Sequence, residues 1–123
     1  MACTAELPAT SAEARDLVDA LLRACHQSVD EIVVADALLI TSELVTNALR
    51  HAGGVTGFAA RITGGRLEVT VEDASPLRPC APVDARDGRI GGYGWSLVHR
   101  LATSVAITST AAGKGIHVAL RLV

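Results

Sequence analysis

The sequence predicts an α+β fold, a two-layer α/β sandwich in which helices cover one face of a mostly antiparallel sheet. Three observations support this prediction. Helical periodicity fills the first part of the 123-residue chain, strand alternation fills the later part, and a glycine-rich segment interrupts the strands. One strand alternates apolar and polar residues, which is typical of a sheet covered by helices on a single side. At this length we expect one domain, residues 1–123.

Two helices are predicted in the first half of the chain, each beginning at a capping motif. Residues 1–9 are expected to form a short edge strand or a tail. Thr10-Ser11-Ala12-Glu13 matches a capping box, so the first helix should start there. A second capping box, Ser28-Val29-Asp30-Glu31, predicts a long helix that starts near Ser28. Gly53-Gly54 is expected to end it.

Two β-hairpins are predicted in the second half. Strands are expected at Phe58–Ile62 and Leu67–Glu72, joined by a primed two-residue turn at Gly64-Gly65. The other hairpin is expected to pair Val105–Ser109 with Ile116–Val123.

The segment between the hairpins is expected to be irregular. Residues 74–90 contain three prolines and five charged residues without periodicity, and a loop of this length is usually functional or disordered. Gly91-Gly92-Tyr93-Gly94 predicts a loop that opens a helix from about Trp95 to Ala102. Glycines before a helix let backbone N–H groups approach a phosphate, although such turns also occur without a ligand.

A narrow polar stripe on the long helix is the first candidate site. At roughly 100° per residue, Asp36, Glu43, Asn47 and Arg50 share one stripe, with His51 at its edge. The rest of the helix is largely apolar, so a buried helix should direct this stripe at something polar. Glu43 and Asn47 lie one turn apart and can reach one object. A magnesium-bound triphosphate is our hypothesis for that object; a solvated edge or an interhelical hydrogen bond would explain the same pattern.

Composition argues against several classes of function. A net charge of −2 gives no basis for a nucleic-acid surface. We expect no membrane segment, because we expect no apolar run to approach the ~20 residues of a membrane span. No signal peptide is visible, and three cysteines without metal-ligand spacing suit a reducing cytoplasm. The aromatic residues are few, so the core should be built from Ala, Val, Leu and Ile.

The order of these motifs resembles the GHKL ATP-binding fold shared by gyrase, histidine kinases and mismatch-repair ATPases. The motifs are LLITSELVTNALRHAGG on the long helix, VEDASP at a strand end and GGYGWSLVHRL at the glycine-rich segment. Within that group, the chain is most similar to the small anti-sigma-factor serine/threonine-protein kinases and their actinobacterial ATP-binding relatives. The resemblance covers nearly the whole chain and implies ATP and Mg²⁺ as cofactors.

The resemblance implies roles for individual residues. Asn47 matches the magnesium-coordinating Asn of the family, and Glu43 matches the acidic residue assigned as general base. Asp73 matches the Asp that recognises adenine. A carboxylate accepts a hydrogen bond from the exocyclic amine of adenine, whereas guanine presents an oxygen at that place. The remaining residues assigned to the cofactor are His51, Ser75, Gly92, Gly94 and Lys114.

Structural alternatives remain open for some of these residues. His51 equally suits a helix C-terminus, and Asp73 could be an ordinary turn residue at a strand end. Ser75 stands where many GHKL members have Gly, and Trp95 stands where Leu is usual. In the family, the segment at residues 74–90 is the lid over the nucleotide.

The resemblance implies an ATP-binding regulator that phosphorylates a Ser or Thr of an anti-sigma antagonist and sequesters a sigma factor. Two other hypotheses stay open: a non-catalytic protein-binding regulator that holds ATP or nothing, and a slow ATPase without a protein substrate. Half of the residues are hydrophobic, and resembling proteins often dimerise. We therefore expect a homodimer, or a complex with a partner, through an exposed part of the first helix or the sheet.

Overall fold

Three helices and a five-stranded sheet form within residues 2–3, 7–25, 28–77 and 91–123, which are the residues that the computed structural model describes. In chain order the elements are β1 (Ala2–Cys3), α1 (Ser11–Arg23), α2 (Glu31–His51), β2 (Gly57–Thr63), β3 (Arg66–Asp73), α3 (Gly91–Leu101), β4 (Ser104–Thr110) and β5 (Gly113–Arg121).

The sheet is antiparallel throughout its described pairs, in the strand order β1-β2-β3-β5-β4. The β2–β3 turn uses Gly64 and Gly65 with φ angles of 57° and 74°, and two positive φ angles are what a type I′ hairpin turn requires. The second predicted hairpin joins β4 to β5. The α+β architecture and the short N-terminal edge strand are therefore confirmed.

Side-chain alternation along β3 separates the core from the open face of the sheet. Leu67, Val69 and Val71 are buried, whereas Glu68 and Glu72 lie on the other face. The buried side packs beneath the helices and joins apolar residues of α1, α2 and β5 in one core. Among the described residues, Phe58 is the one buried aromatic side chain, so the core is aliphatic as predicted.

The first helix begins where the capping motif predicted. Thr10 is the N-cap of α1, and its Oγ1 accepts a hydrogen bond from the Glu13 backbone N–H at 3.1 Å. This bond satisfies one of the backbone donors that a helix N-terminus leaves without a partner.

The second helix begins later than predicted. Asp30, rather than Ser28, is the N-cap of α2, because its Oδ1 accepts from the Ile32 N–H at 2.8 Å. The helix therefore starts at Glu31. Its end agrees with the prediction, since Gly53 follows with a φ of 74° and breaks the helical path.

Helix α2 is long and apolar enough, by length and composition alone, to cross a membrane, with a mean hydropathy of 1.6. The sequence-based expectation that no run approaches such a length was therefore wrong. In this fold, however, α2 packs against α1, α3 and β3, as the core helix of a folded domain does. Its buried residues are Val34, Ala37, Ile40, Thr41, Leu44, Val45 and Ala48.

Replacement of Leu44 tests the packing of α2. The side chain is 1% exposed, so Leu44→Ala should lower the free energy of unfolding by about 2–5 kcal/mol through lost burial and a residual cavity. Leu49→Ala is the matched control, because Leu49 lies on the same helix and is 40% exposed. Denaturant unfolding followed by circular dichroism measures both. Equal losses for the two variants would contradict the packing.

Candidate functional site

The polar stripe of α2 lines a small cavity beside α3. The lining residues are Glu43, Thr46, Asn47, Arg50, His51 and Trp95. The structure thus brings together three of the predicted site residues, Glu43, Asn47 and His51. Asp36, which lies on the same predicted stripe, does not line the cavity. The sequence analysis did not single out Thr46, although its position three residues after Glu43 could have indicated it.

The cavity has a volume of about 20 Å³. A space of this size holds about one water-sized group. A nucleotide could therefore lie here only if α3 moved away from α2.

Gly94 allows α3 to lie directly against the Glu43 side chain. A Cβ atom at this position would overlap the Glu43 carboxylate, so the close approach depends on glycine. The four residues Gly91 to Gly94, predicted as a loop, instead form the first turn of α3. That prediction took a glycine-rich segment as a loop and was wrong, because the low helix propensity of glycine is a weak preference that tertiary packing overrides. Gly92 lies in the same turn.

Trp95 closes the cavity from the α3 side. Its ring and the His99 ring form a T-shaped contact, with centroids 4.7 Å apart and an interplanar angle of 89°. The side chain is half-buried and packs against the core. The departure from Leu thus places a large aromatic ring beside Asn47 and His51.

A second group of predicted residues meets at the end of β3. Asp73 and Lys114 are direct partners in the β3–β5 register. The Lys114 Nζ donates to Asp73 Oδ1 at 3.0 Å and to the Ser75 carbonyl oxygen at 3.3 Å. The Ser75 backbone N–H donates to the same Oδ1 at 2.9 Å. Asp73, Ser75 and Lys114 therefore form one hydrogen-bonded cluster.

This cluster lies on the helix-covered side of the sheet. The side chains of Asp73 and Lys114 are 1% and 4% exposed. Burial of an isolated charge is costly, so each charge depends on the other. Gly113 brings β5 close to the end of β3, because a Cβ atom there would overlap the Asp73 carbonyl oxygen. In this conformation a ligand reaches the carboxylate only when the groups that cover it move.

The described residues contain no group of three or more His, Cys, Asp or Glu side chains placed to hold a metal ion. Magnesium does not require such a group, because it keeps several waters and takes one or two protein ligands together with substrate phosphates. The Asn47 amide oxygen is a hard oxygen donor that lines the cavity, so it fits Mg²⁺ bound with a phosphate, and the Glu43 carboxylate lines the same cavity.

Residues 4–122 match the family described as the histidine kinase-like ATPase domain. This match spans almost the whole chain, and the chain belongs to this family. The GHKL-type fold expected from the sequence is thereby confirmed, whereas membership of the anti-sigma-factor kinase group stays a prediction. No curated protein matches the chain.

Solved structures agree with the fold. A blue-light activated histidine kinase of Erythrobacter litoralis EL346 is 27% identical, with a TM-score of 0.57, over 76% of this chain and 32% of that protein. The histidine kinase domain from the same enzyme is 20% identical, with a TM-score of 0.57, over 97% of this chain and 66% of that structure. The chain thus spans less than two thirds of each, and the second similarity supports the fold alone.

Replacement of Gly94 tests the contact between α3 and Glu43. Gly94→Ala should displace the flexible Glu43 carboxylate at little energetic cost, while alanine gains about 1 kcal/mol of helix propensity. The free energy of unfolding should therefore stay equal or rise by up to about 1 kcal/mol, measured by denaturant titration. The same substitution in a Glu43→Ala background removes the overlap and serves as the control. A loss of more than about 2 kcal/mol in the single variant alone would show that Glu43 cannot move.

Proposed function

We propose that this chain is an ATP-binding regulatory protein whose nucleotide lies between α2 and α3. The observation that carries the proposal is the placement of Glu43 and Asn47, one turn apart, beside Gly94 of α3 in a chain of the histidine kinase-like ATPase family. Withdrawal of the first turn of α3 would make room for the triphosphate. Glycines make that turn inexpensive to unwind, at about 1 kcal/mol each relative to alanine.

Asn47 would hold Mg²⁺ through its amide oxygen. When bound, the metal supplies neutralisation of the charge on the phosphates, which is a main requirement of phosphoryl transfer. His51, one turn further along α2, lines the same cavity and would contact the phosphates. Glycine N–H groups at residues 92 and 94 would approach the phosphates if this turn opened.

Asp73 would read the adenine base. Its carboxylate lies at the end of β3, fixed by Lys114 and by the Ser75 N–H. An ionised carboxylate accepts a strong hydrogen bond from an exocyclic amine and disfavours the oxygen of guanine. Ser75 would then act by orienting Asp73 rather than by touching the base through its own side chain.

The reaction that best suits these residues is transfer of the γ-phosphate to a Ser or Thr of an anti-sigma antagonist protein in the cytoplasm. Glu43 would accept the proton of the attacking hydroxyl, provided that the hydroxyl lies within hydrogen-bond reach. Sequestration of a sigma factor, and pairing as a homodimer through α1 or the open face of the sheet, belong to the same proposal.

One observation favours a second candidate function. The Glu43 carboxylate packs against Gly94, and the adjoining cavity of about 20 Å³ has no room for a triphosphate beside a substrate hydroxyl in this conformation. A chain that keeps this arrangement would regulate its partner by surface contact alone and transfer no phosphate. Enzymatic assay of the wild-type protein separates the two candidates.

Asp73→Asn should weaken ATP binding by about tenfold or more. The amide keeps an oxygen but loses the charge that strengthens the bond, and a bond of this kind is worth about 1.5–3 kcal/mol. Glu72→Gln is the matched control, since Glu72 precedes Asp73 on β3 and lies exposed on the opposite face. Calorimetric titration with Mg·ATP gives both affinities. Unchanged affinity in the Asp73 variant would show that the base is read elsewhere.

Glu43→Ala should leave Mg·ATP affinity nearly unchanged and slow phosphoryl transfer by about 10²–10⁴-fold, because a general base acts on the transition state. Asn47→Ala should damage binding and transfer together, because it removes the metal ligand. Asp36→Ala, on the same helix but outside the cavity, is the control. The assay follows labelled γ-phosphate into a co-expressed antagonist protein and into free phosphate.

The wild-type result decides between the candidate functions. Transfer to protein supports the kinase, and hydrolysis without transfer indicates a slow ATPase. Binding without either reaction supports the non-catalytic regulator. If Glu43→Ala transfers phosphate as fast as the wild-type protein, Glu43 is not the base.

A further inference from the structure

We infer that Lys114 is a positioning residue that orients the base-reading carboxylate of Asp73 and makes no contact with the phosphates. The inference rests on the proposed nucleotide site and concerns how its base end is built. It assigns Lys114 a function different from that of a cationic residue that binds phosphate.

The hydrogen bonds around Asp73 fix one carboxylate oxygen. Oδ1 accepts from the Lys114 ammonium at 3.0 Å and from the Ser75 N–H at 2.9 Å. The contacts of this carboxylate within the described part of the chain all use Oδ1. Two donors converging on one oxygen hold the plane of the carboxylate and direct Oδ2 as the atom that can accept from an exocyclic amine. A group oriented before binding loses less entropy when the ligand arrives.

The same ammonium also fixes the chain that follows Asp73. Its second described bond, to the Ser75 carbonyl oxygen at 3.3 Å, ties the exit of β3 to the start of β5. A compact ammonium can donate to two oxygens that lie in different directions, whereas the planar fork of Arg suits paired oxygens. Lys114 is the only Lys among the 11 Lys and Arg residues of the chain, so a Lys occurs at this position although Arg is used at all the others.

Burial makes a phosphate contact incompatible with the observed pair. The Lys114 side chain is 4% exposed and its ammonium is directed at Asp73. If it turned towards a phosphate, it would leave a carboxylate that is 1% exposed without its cation. Removal of one partner of a buried pair is strongly unfavourable, so the pair should persist when nucleotide binds.

The test compares ligands that share the base but differ in phosphate number. Affinities for AMP, ADP and ATP, each with Mg²⁺, are measured by calorimetry for wild type and Lys114→Met. We expect about tenfold weaker binding of all three by the same factor, because the damage lies at the base end. Arg121→Met is the control, since Arg121 lies on the same strand but is exposed. Thermal unfolding confirms that each variant is folded at the temperature of titration.

A pair of variants keeps the test decisive if Lys114→Met does not fold. Asp73→Asn with Lys114→Met contains no unpaired buried charge. It is compared with Asp73→Asn, which leaves the Lys114 ammonium without its carboxylate, so thermal unfolding is measured for both variants at the temperature of titration. If Lys114 acts only through Asp73, the second substitution should cause no further loss of affinity for ATP or ADP. A further loss that is larger for ATP than for ADP would establish phosphate contact and overturn the inference.

Wild-type affinity in a folded Lys114→Met would overturn the inference while leaving the nucleotide site intact. Failure of the wild-type protein to bind any of the three nucleotides would instead reject the proposed function itself, on which the inference rests. Equal loss for the three ligands, with no additional loss in the double variant, supports it.

Discussion

Packing of α2 against α1, β3 and α3 is the constraint on which the other features depend. A helix this apolar is stable in water only when most of its surface is covered. The one stretch that carries Glu43 and Asn47 is covered by α3 rather than by the sheet. Any ligand that meets these two residues must therefore work at the contact between two helices, and the small size of Gly94 decides how close that contact becomes.

The ion pair between Asp73 and Lys114 at the end of β3 is a second constraint, and it lies within the sheet. The alternation that buries Leu67, Val69 and Val71 also brings Asp73 to the buried side, because it follows at the same two-residue spacing. The register of β5 then places Lys114 opposite. A charged side chain can lie within an apolar layer here because its partner comes from the neighbouring strand.

Local signals in the sequence predicted much of this structure. The hydroxyl of Thr10 caps α1, and the glycine pair at residues 64 and 65 closes the β2–β3 hairpin, because both features depend on residues a few positions apart. Most strand bounds moved outward by one to three residues, since pairing with a neighbour extends a strand beyond its apolar core, whereas β5 ends two residues before the predicted Val123. The start of α2 was misplaced because the N-cap is Asp30, which lies inside the predicted capping box two residues after Ser28.

The parts that could not be predicted depend on contacts between distant segments. Gly94, in the first turn of α3, lies against the side chain of Glu43, which is about fifty residues earlier in the chain. The pair between Asp73 and Lys114 is separated by 41 residues and follows only from the register of β5. The sequence analysis named Glu43, Gly94, Asp73 and Lys114 individually as candidate site residues. It did not predict which of them would be in contact.

Burial of the single lysine has a practical consequence for chemical labelling. Amine-directed reagents modify lysine side chains that they can reach, and Lys114 is enclosed and ion-paired. Its labelling therefore requires local opening at the end of the β3–β5 pair. The rate of that modification reports this opening at a single position, without interference from any other lysine in the chain.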